Sequence, residues 1–249
     1  MQIGLIGAGN MARGLALGWG RPVLCFDVVA DRAAALAQEA GGEALASGVE
    51  VAQRSDLVVL CHKPAQLRGV AAELAPHARA VVSILAATPL ADVKAAYPDR
   101  PVYRALPSTP VAVRQGAVIL AADDEQDAPL DEAVRGLLEE LGTLVVLDDA
   151  LIDVAMGLMS NAPAYYALVV EAQVDAGVRH GLAPEQAARL VVQTMAGTAE
   201  LLRRQGYDTL AARRAVTSPG GSTARGLDAL ERGGLRAAFS DALDAILKP

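Results

Sequence analysis

Six residues near the start, GAGNMA from Gly7 to Ala12, constrain this chain more than any other stretch. They follow an apolar run at Gln2 to Ile6 and open a helical pattern. Asp27 stands twenty positions after Gly7, at the end of a second apolar run. This is the G-x-G-x-x-G/A spacing with alanine in the third place. Gly7 permits a tight turn, Gly9 lets the backbone approach a pyrophosphate, and Ala12 lets the helix pack near a sheet. The amides of the helix start, at Asn10 and Met11, then hold the anion. Asp27 accepts hydrogen bonds from the ribose hydroxyls of NADH and would repel the 2′-phosphate of NADPH, so it favours NADH. Arg32 nearby offers some help to a phosphate, and the plain alternative for Asp27 is a cap on the following turn.

Short apolar runs alternate with helical patterns through the first three fifths of the sequence, which is the rhythm of βαβ units. Strands are expected at 2–6, 23–27, 57–61, 80–85, 102–104, 117–121 and 144–147. Several are apolar throughout, as strands buried on both sheet faces are. Helices are expected to start near Asn10, Asp31, Gln66, Pro89 and Asp127, with Asp31 and Thr88 as caps and Pro89 in the first helical position. From Asp149 the strand pattern stops. Helical stretches follow at 150–181 and 184–205, then near 208–215, 222–231 and 235–247. The expected fold is α/β: a Rossmann-type doubly wound sheet over 1–149, then an all-α domain over 150–249.

Hydrophobic residues make up 53% of the chain, largely through alanine, and aromatics only 3%, so helices can meet through small side chains. A net charge of -7 without a basic block argues against a nucleic-acid partner. Cys25 and Cys61 sit in apolar runs and suit a reducing cytosol without a disulfide framework. His62, His77 and His180 lack metal-ligand spacing, so no metal is expected. The apolar stretch 154–170 is interrupted by Asn161 and Pro163 and is too short to span a bilayer. No leader pattern precedes the first strand, and a cytoplasmic protein without a membrane partner is expected.

Near the far end, VTSPGGST runs from Val216 to Thr223 into a helical pattern. Gly220 and Gly221 allow close backbone approach, while Ser218, Ser222 and Thr223 supply hydroxyls beside the amides of a helix start. Such a turn binds a carboxylate or phosphate; the plain alternative is a loop capped by Ser222.

In order along the chain, GAGNMA, HKP at His62 to Pro64, SILAAT at Ser83, VYRALPSTP at Val102, APAYYALVVEA at Ala162, DAGVRHGL at Asp175, VTSPGGST and GLDALERGG resemble the pyrroline-5-carboxylate reductase family. The resemblance implies a helical C-terminal domain that interlocks with a second subunit, hence a homodimer or a dimer-based homo-oligomer. It implies hydride transfer from NADH or NADPH to the imine carbon of a small cyclic imino acid, Δ1-pyrroline-5-carboxylate, giving L-proline. Residues 218 and 220–223 would hold the substrate carboxylate, with Thr223 hydrogen-bonding the ring nitrogen. Lys63, at the carboxyl end of its strand, would lie near the nicotinamide with His62 and Pro64, and Ser108 and Thr109 would belong to the loop over it. Thr223 and Lys63 are thus the catalytic candidates.

The family's usual SGSGPAY is MSNAPAY here, from Met159 to Tyr165, the usual asparagine of PNTP is Ser108, and an expected glycine is Ala87. These departures raise two alternatives: a reductase of a related cyclic imino acid such as piperideine carboxylate, or a regulatory NAD(P)-binding dimer without turnover.

Overall fold

A computed structural model describes residues 1–123 and 125–247. Contacts divide the chain into two compact units, Met1–Pro163 and Ala164–Pro249. The first unit is an eight-stranded sheet of β1 (Ile3–Ile6), β2 (Leu24–Phe26), β3 (Glu43–Ala44), β4 (Leu57–Leu60), β5 (Val81–Ser83), β6 (Val102–Pro107), β7 (Gly116–Ala121) and β8 (Gly142–Leu147). The order is β3-β2-β1-β4-β5-β6-β7-β8. The first six strands are parallel, with Leu5 opposite Cys25 and Val59. At β6 the direction turns: β7 pairs with it antiparallel, and β8 runs parallel to β7. The first six strands follow the doubly wound order, whose winding reverses between β1 and β4.

Helices cover both faces. These are α1 (Asn10–Trp19), α2 (Ala30–Ala40), α3 (Gly48–Arg54), α4 (Leu67–Leu74), α5 (Leu90–Ala96), α6 (Ala128–Glu139) and α7 (Ile152–Met159). Side chains of one strand alternate between two cores because successive residues point to opposite faces. Ile3, Leu5, Leu57, Val59 and Val82 join Ala12, Leu15 and Leu36 in one core. Ile6, Val58, Leu60 and Val81 join Val51, Leu74, Val93 and Ile152 in the other. That is the two-faced burial expected from the unbroken apolar runs.

Several local expectations need correction. Neither β3 nor α3 was anticipated, yet Ser47 and Glu50 carry the Ser-x-x-Glu signal, and the Ser47 hydroxyl accepts from the Glu50 N–H at 3.1 Å. The strand expected at 102–104 continues to Pro107. Asp31 lies inside the first turn of α2, where Val29 is the cap. Thr88 does not cap α5: its hydroxyl donates to the Ala86 carbonyl, and Asp149 accepts from the Leu90 N–H at 3.1 Å. A carboxylate from a distant segment satisfies that helix start, as the helix dipole favours.

The helix expected at 150–181 is broken. A 3-10 turn at Asp149–Leu151 leads into α7, residues 160 and 161 form a bend, and α8 (Ala162–Arg179) begins with Pro163 in its first turn. A proline there sacrifices no helical hydrogen bond, which is why the break falls where it does. The first compact unit includes α7, whose Ile152 is fully buried in the second core with Ala155, Met156 and Met159 against it.

The second unit continues with α9 (Pro184–Arg204), α10 (Thr209–Ala215), α11 (Ser222–Arg232) and α12 (Leu235–Leu247). Asp208 caps α10 by accepting from the N–H groups of Leu210 and Ala211. Ala187 is the one buried hydrophobic residue among the described residues of this unit, while Leu168, Leu190, Leu201 and Phe239 are exposed. Its apolar faces lack a core of their own.

Candidate dinucleotide cleft and its neighbouring cavity

The winding of the sheet leaves the carboxyl ends of β1 and β4 facing a crevice. Gly7 leaves β1 at φ +104°, and its N–H donates to the Phe26 carbonyl at 2.8 Å. A Cβ at Gly7 would come within 2.8 Å of the Cys61 carbonyl, so both conformation and space demand glycine. Gly9 caps α1 in extended conformation and has open space where a Cβ would be, leaving the α1 amides accessible. Ala12 is 1% exposed and packs in the first core, as its place in the motif requires.

Asp27 is tied to this loop. One carboxylate oxygen accepts from the Ala8 N–H and the other from the Val29 N–H, each at 2.8 Å. Its expected capping role and its place beside the glycine loop therefore coexist. A groove of about 330 Å³ is lined by Gly7, Gly9, Asp27, Arg32, His62 and Lys63 among others.

The HKP segment leaves β4 at the same edge. Burial pushes the Cys61 thiol well above its usual range and makes it a poor nucleophile. Burial also pulls the His62 imidazole below its usual value, opposed by its hydrogen bond to the Lys63 carbonyl at 2.9 Å. With Nδ1 donating there, Nε2 is a buried acceptor without a partner. The Lys63 carbonyl also accepts from the Gln66 N–H, and the Lys63 N–H donates to Gln66 Oε1, so a 3-10 turn at Pro64–Gln66 fixes the segment.

Cys61, His62 and Lys63 also line a second cavity of about 220 Å³, with Met11, Pro64, Leu106, Pro107, Met156 and Ser160 on its other walls. The structure thus brings Gly7, Gly9, Met11, Asp27, His62, Lys63 and Pro64 to two cavities that share one wall. The α1 amides and the Asp27 carboxylate at this edge are groups that could hold the pyrophosphate and a ribose of a dinucleotide.

Two expected members of this constellation stand elsewhere. Ser108 is buried and its hydroxyl accepts from the Ala117 N–H at 2.9 Å, closing the β6–β7 pairing; Thr109 is exposed in the next turn. Neither lines the two cavities, and Leu106 and Pro107 form that wall instead. Ser160, one of the MSNAPAY departures, lines the second cavity, and Met156 is a contributor that motif reading missed. Their signal was the polar break before Pro163, which ends α7.

In the second unit the SPGGST turn takes a compact form by itself. The Gly221 N–H donates to the Ser218 carbonyl at 3.0 Å, Gly220 adopts φ +67°, and Arg225 donates to the Gly220 carbonyl at 2.8 Å. A Cβ at Gly221 would lie 2.4 Å from Ser218 Oγ. Gly221, not Ser222, caps α11, so Ser222 and Thr223 occupy its first turn with exposed side chains. Hydroxyls and free amides therefore face the same helix start.

Among the described residues no group of three or more His, Cys, Asp or Glu could hold a metal, and no helix is long and apolar enough to cross a membrane.

Residues 149–248 match the family model for pyrroline-5-carboxylate reductase dimerisation, and residues 2–87 match that for NADP oxidoreductase, coenzyme F420-dependent. Pyrroline-5-carboxylate reductase of Pseudomonas aeruginosa is 36% identical over 98% of this chain and 93% of its own length. Pyrroline-5-carboxylate reductase 3 of Macaca fascicularis is 34% identical with the same coverages. The solved 1-pyrroline-5-carboxylate reductase of Streptococcus pyogenes superposes with a TM-score of 0.88 at 28% identity, covering 99% of this chain and 96% of that one. The Plasmodium falciparum pyrroline carboxylate reductase, solved with NADP bound, shares the fold at a TM-score of 0.88 and 23% identity, covering 99% and 95%. With likeness running from the glycine loop to the last helices, the chain belongs to the pyrroline-5-carboxylate reductase family.

Proposed function

We propose that this chain reduces the imine of 1-pyrroline-5-carboxylate with NAD(P)H, giving L-proline. The observation that carries the reading is the near full-length identity of 36% to a reductase of that name, coinciding with a built dinucleotide cleft. The bound cofactor supplies the hydride. The chain's task is then to orient both reactants, exclude water and place charge. The Gly7 turn and α1 amides bind the pyrophosphate, and Asp27 accepts from a ribose hydroxyl, favouring NADH. His62 presents a neutral acceptor along the cofactor path, and Lys63 sets a positive charge at the edge shared by the two cavities. A cation there favours the carboxylate-bearing substrate.

The SPGGST turn is assigned to the substrate carboxylate, through the amides and hydroxyls of Gly220, Gly221, Ser222 and Thr223 with Ser218 beside them. Thr223 is assigned to the ring nitrogen, where a hydroxyl can accept from a protonated imine or donate to the amine formed. Ser108 and Thr109 contribute through the fold of the loop after β6. The protein works as a homodimer, since the exposed apolar helix faces of the second unit need apolar partners.

The departures from the family pattern favour the parent substrate over a larger ring. Met159 packs against the second core and the Ser108 hydroxyl accepts from the Ala117 N–H, so neither lines the cavity, whereas Ser160, in place of the usual glycine, adds a side chain to the wall and narrows it. Steady-state assays with the five- and six-membered imino acids should show oxidation of NAD(P)H with a higher kcat/KM for pyrroline-5-carboxylate. No oxidation at millimolar pyrroline-5-carboxylate, with dinucleotide binding intact, would overturn the enzymatic reading.

A further inference from the structure

Arg104 heads the fully buried side chains of the described residues by volume, at 2% exposure. It sits in β6, and its guanidinium is forked between two acids. Nη1 donates to Asp149 at 2.8 Å and Nη2 to Asp153 at 3.0 Å. The other Asp149 oxygen accepts from the Leu90 N–H at the start of α5. Asp149 and Asp153 are four residues apart, on one side of the turn that becomes α7, where two like charges repel unless a cation lies between them. One buried cation therefore joins β6, the entry of α7 and the entry of α5.

Those elements carry most walls of the second cavity. Leu106 and Pro107 follow Arg104 in β6, Ile84 to Ala86 lead toward α5, and Met156 and Ser160 come from α7 and its end. The remaining grip on α7 is apolar, through Ile152, Ala155, Met156 and Met159. Such contacts are non-directional and leave a short helix free to rotate or slide. A two-pronged guanidinium does not. Buried ion pairs are poor devices for stability, and fixing register is their best-attested use. The bare Nε of Arg104, buried without a partner, fits that view of a group kept for geometry.

We propose that Arg104 is a positioning residue for this cavity: its guanidinium fixes the rotation and register of α7, and with it Met156 and Ser160, against the β6 exit. This rests on the proposed reading of the cavity as the place where the reacting end of the cofactor lies. The groove at Gly7, Gly9 and Asp27 contains no member of the cluster.

Asp153→Ala removes one prong at a half-exposed side chain, so it should fold even if Arg104→Met does not. Expected results are a kcat about tenfold lower, because small misplacements of reacting groups are costly. The dissociation constant for NADH should stay within about twofold, since the groove is untouched. Amide exchange in 152–159 should rise about tenfold. Arg104→Lys, retaining charge and one prong, should fall between Asp153→Ala and Arg104→Met. Wild-type kcat together with wild-type exchange in Asp153→Ala would overturn the proposal, as would parallel losses of kcat, NADH affinity and thermal midpoint. If the wild-type enzyme turned over no imine, the functional reading would fall alone. Exchange in α7 would still decide whether the cation holds that helix.

Discussion

Asp27 performs two tasks with one carboxylate, holding the amides of Ala8 and Val29 while lining the groove. Asp27→Asn keeps an acceptor for one amide and removes the charge that would oppose a 2′-phosphate. The ratio of kcat/KM for NADPH to that for NADH should therefore rise about tenfold, roughly the 1.4 kcal/mol of one charge interaction in a partly exposed site. An unchanged ratio in steady-state assays would refute that role. Ala87 is a second position where one residue decides the outcome. It adopts φ +50°, in the left-handed region that favours glycine, at a position where the family resemblance implies a glycine. Ala87→Gly relieves that strain but adds unfolded-chain entropy. The net expectation is a gain of about 0.5 kcal/mol, seen as a higher denaturation midpoint.

At the scale of elements, α3 is seven residues long, too short to persist without its cap and its packing. Ser47 accepts from Glu50, and Val51 and Ala52 are fully buried. Ser47→Ala should cost about 1 kcal/mol in urea unfolding while leaving NADH affinity unchanged, since α3 does not line the groove. Seven of the eight strands were legible because they fall on short apolar runs, whereas β3 is two exposed residues, Glu43 and Ala44. The break before α8 was less so. Pro163 marks it in sequence, but proline serves equally as a kink or a helix start, and burial of Ile152 decided which side α7 joins. Capping was harder still. Thr88 beside Pro89 has the local signature of a cap, and Asp149 takes the position through a contact that local sequence does not encode.

For the whole molecule, exposure in the second unit controls behaviour in solution. Leu168, Leu190 and Leu201 are each more than half exposed, an arrangement that soluble monomers avoid when such residues are contiguous on helices. Mass action then links stability to association. The thermal midpoint should rise with protein concentration between about 0.1 and 10 μM on that ground, and sedimentation should show dimer or higher species. A concentration-independent midpoint with a monomeric mass would exclude the homodimer.

Sequence alone determined the positions whose physics is local. Gly7, Gly9 and Ala12 answer to backbone conformation and close approach, and Asp27 answers to its spacing from them. The same holds for the SPGGST turn, where Gly220 takes positive φ and a Cβ at Gly221 would crowd the Ser218 hydroxyl. Tertiary structure decided what depends on distant partners. It turned Ser108 into the sheet, gave Met156 and Ser160 a cavity wall, and seated Arg104 between Asp149 and Asp153. Local spacing reports which backbone shape a residue permits, whereas the use of a side chain follows from which segments the sheet brings to its exit.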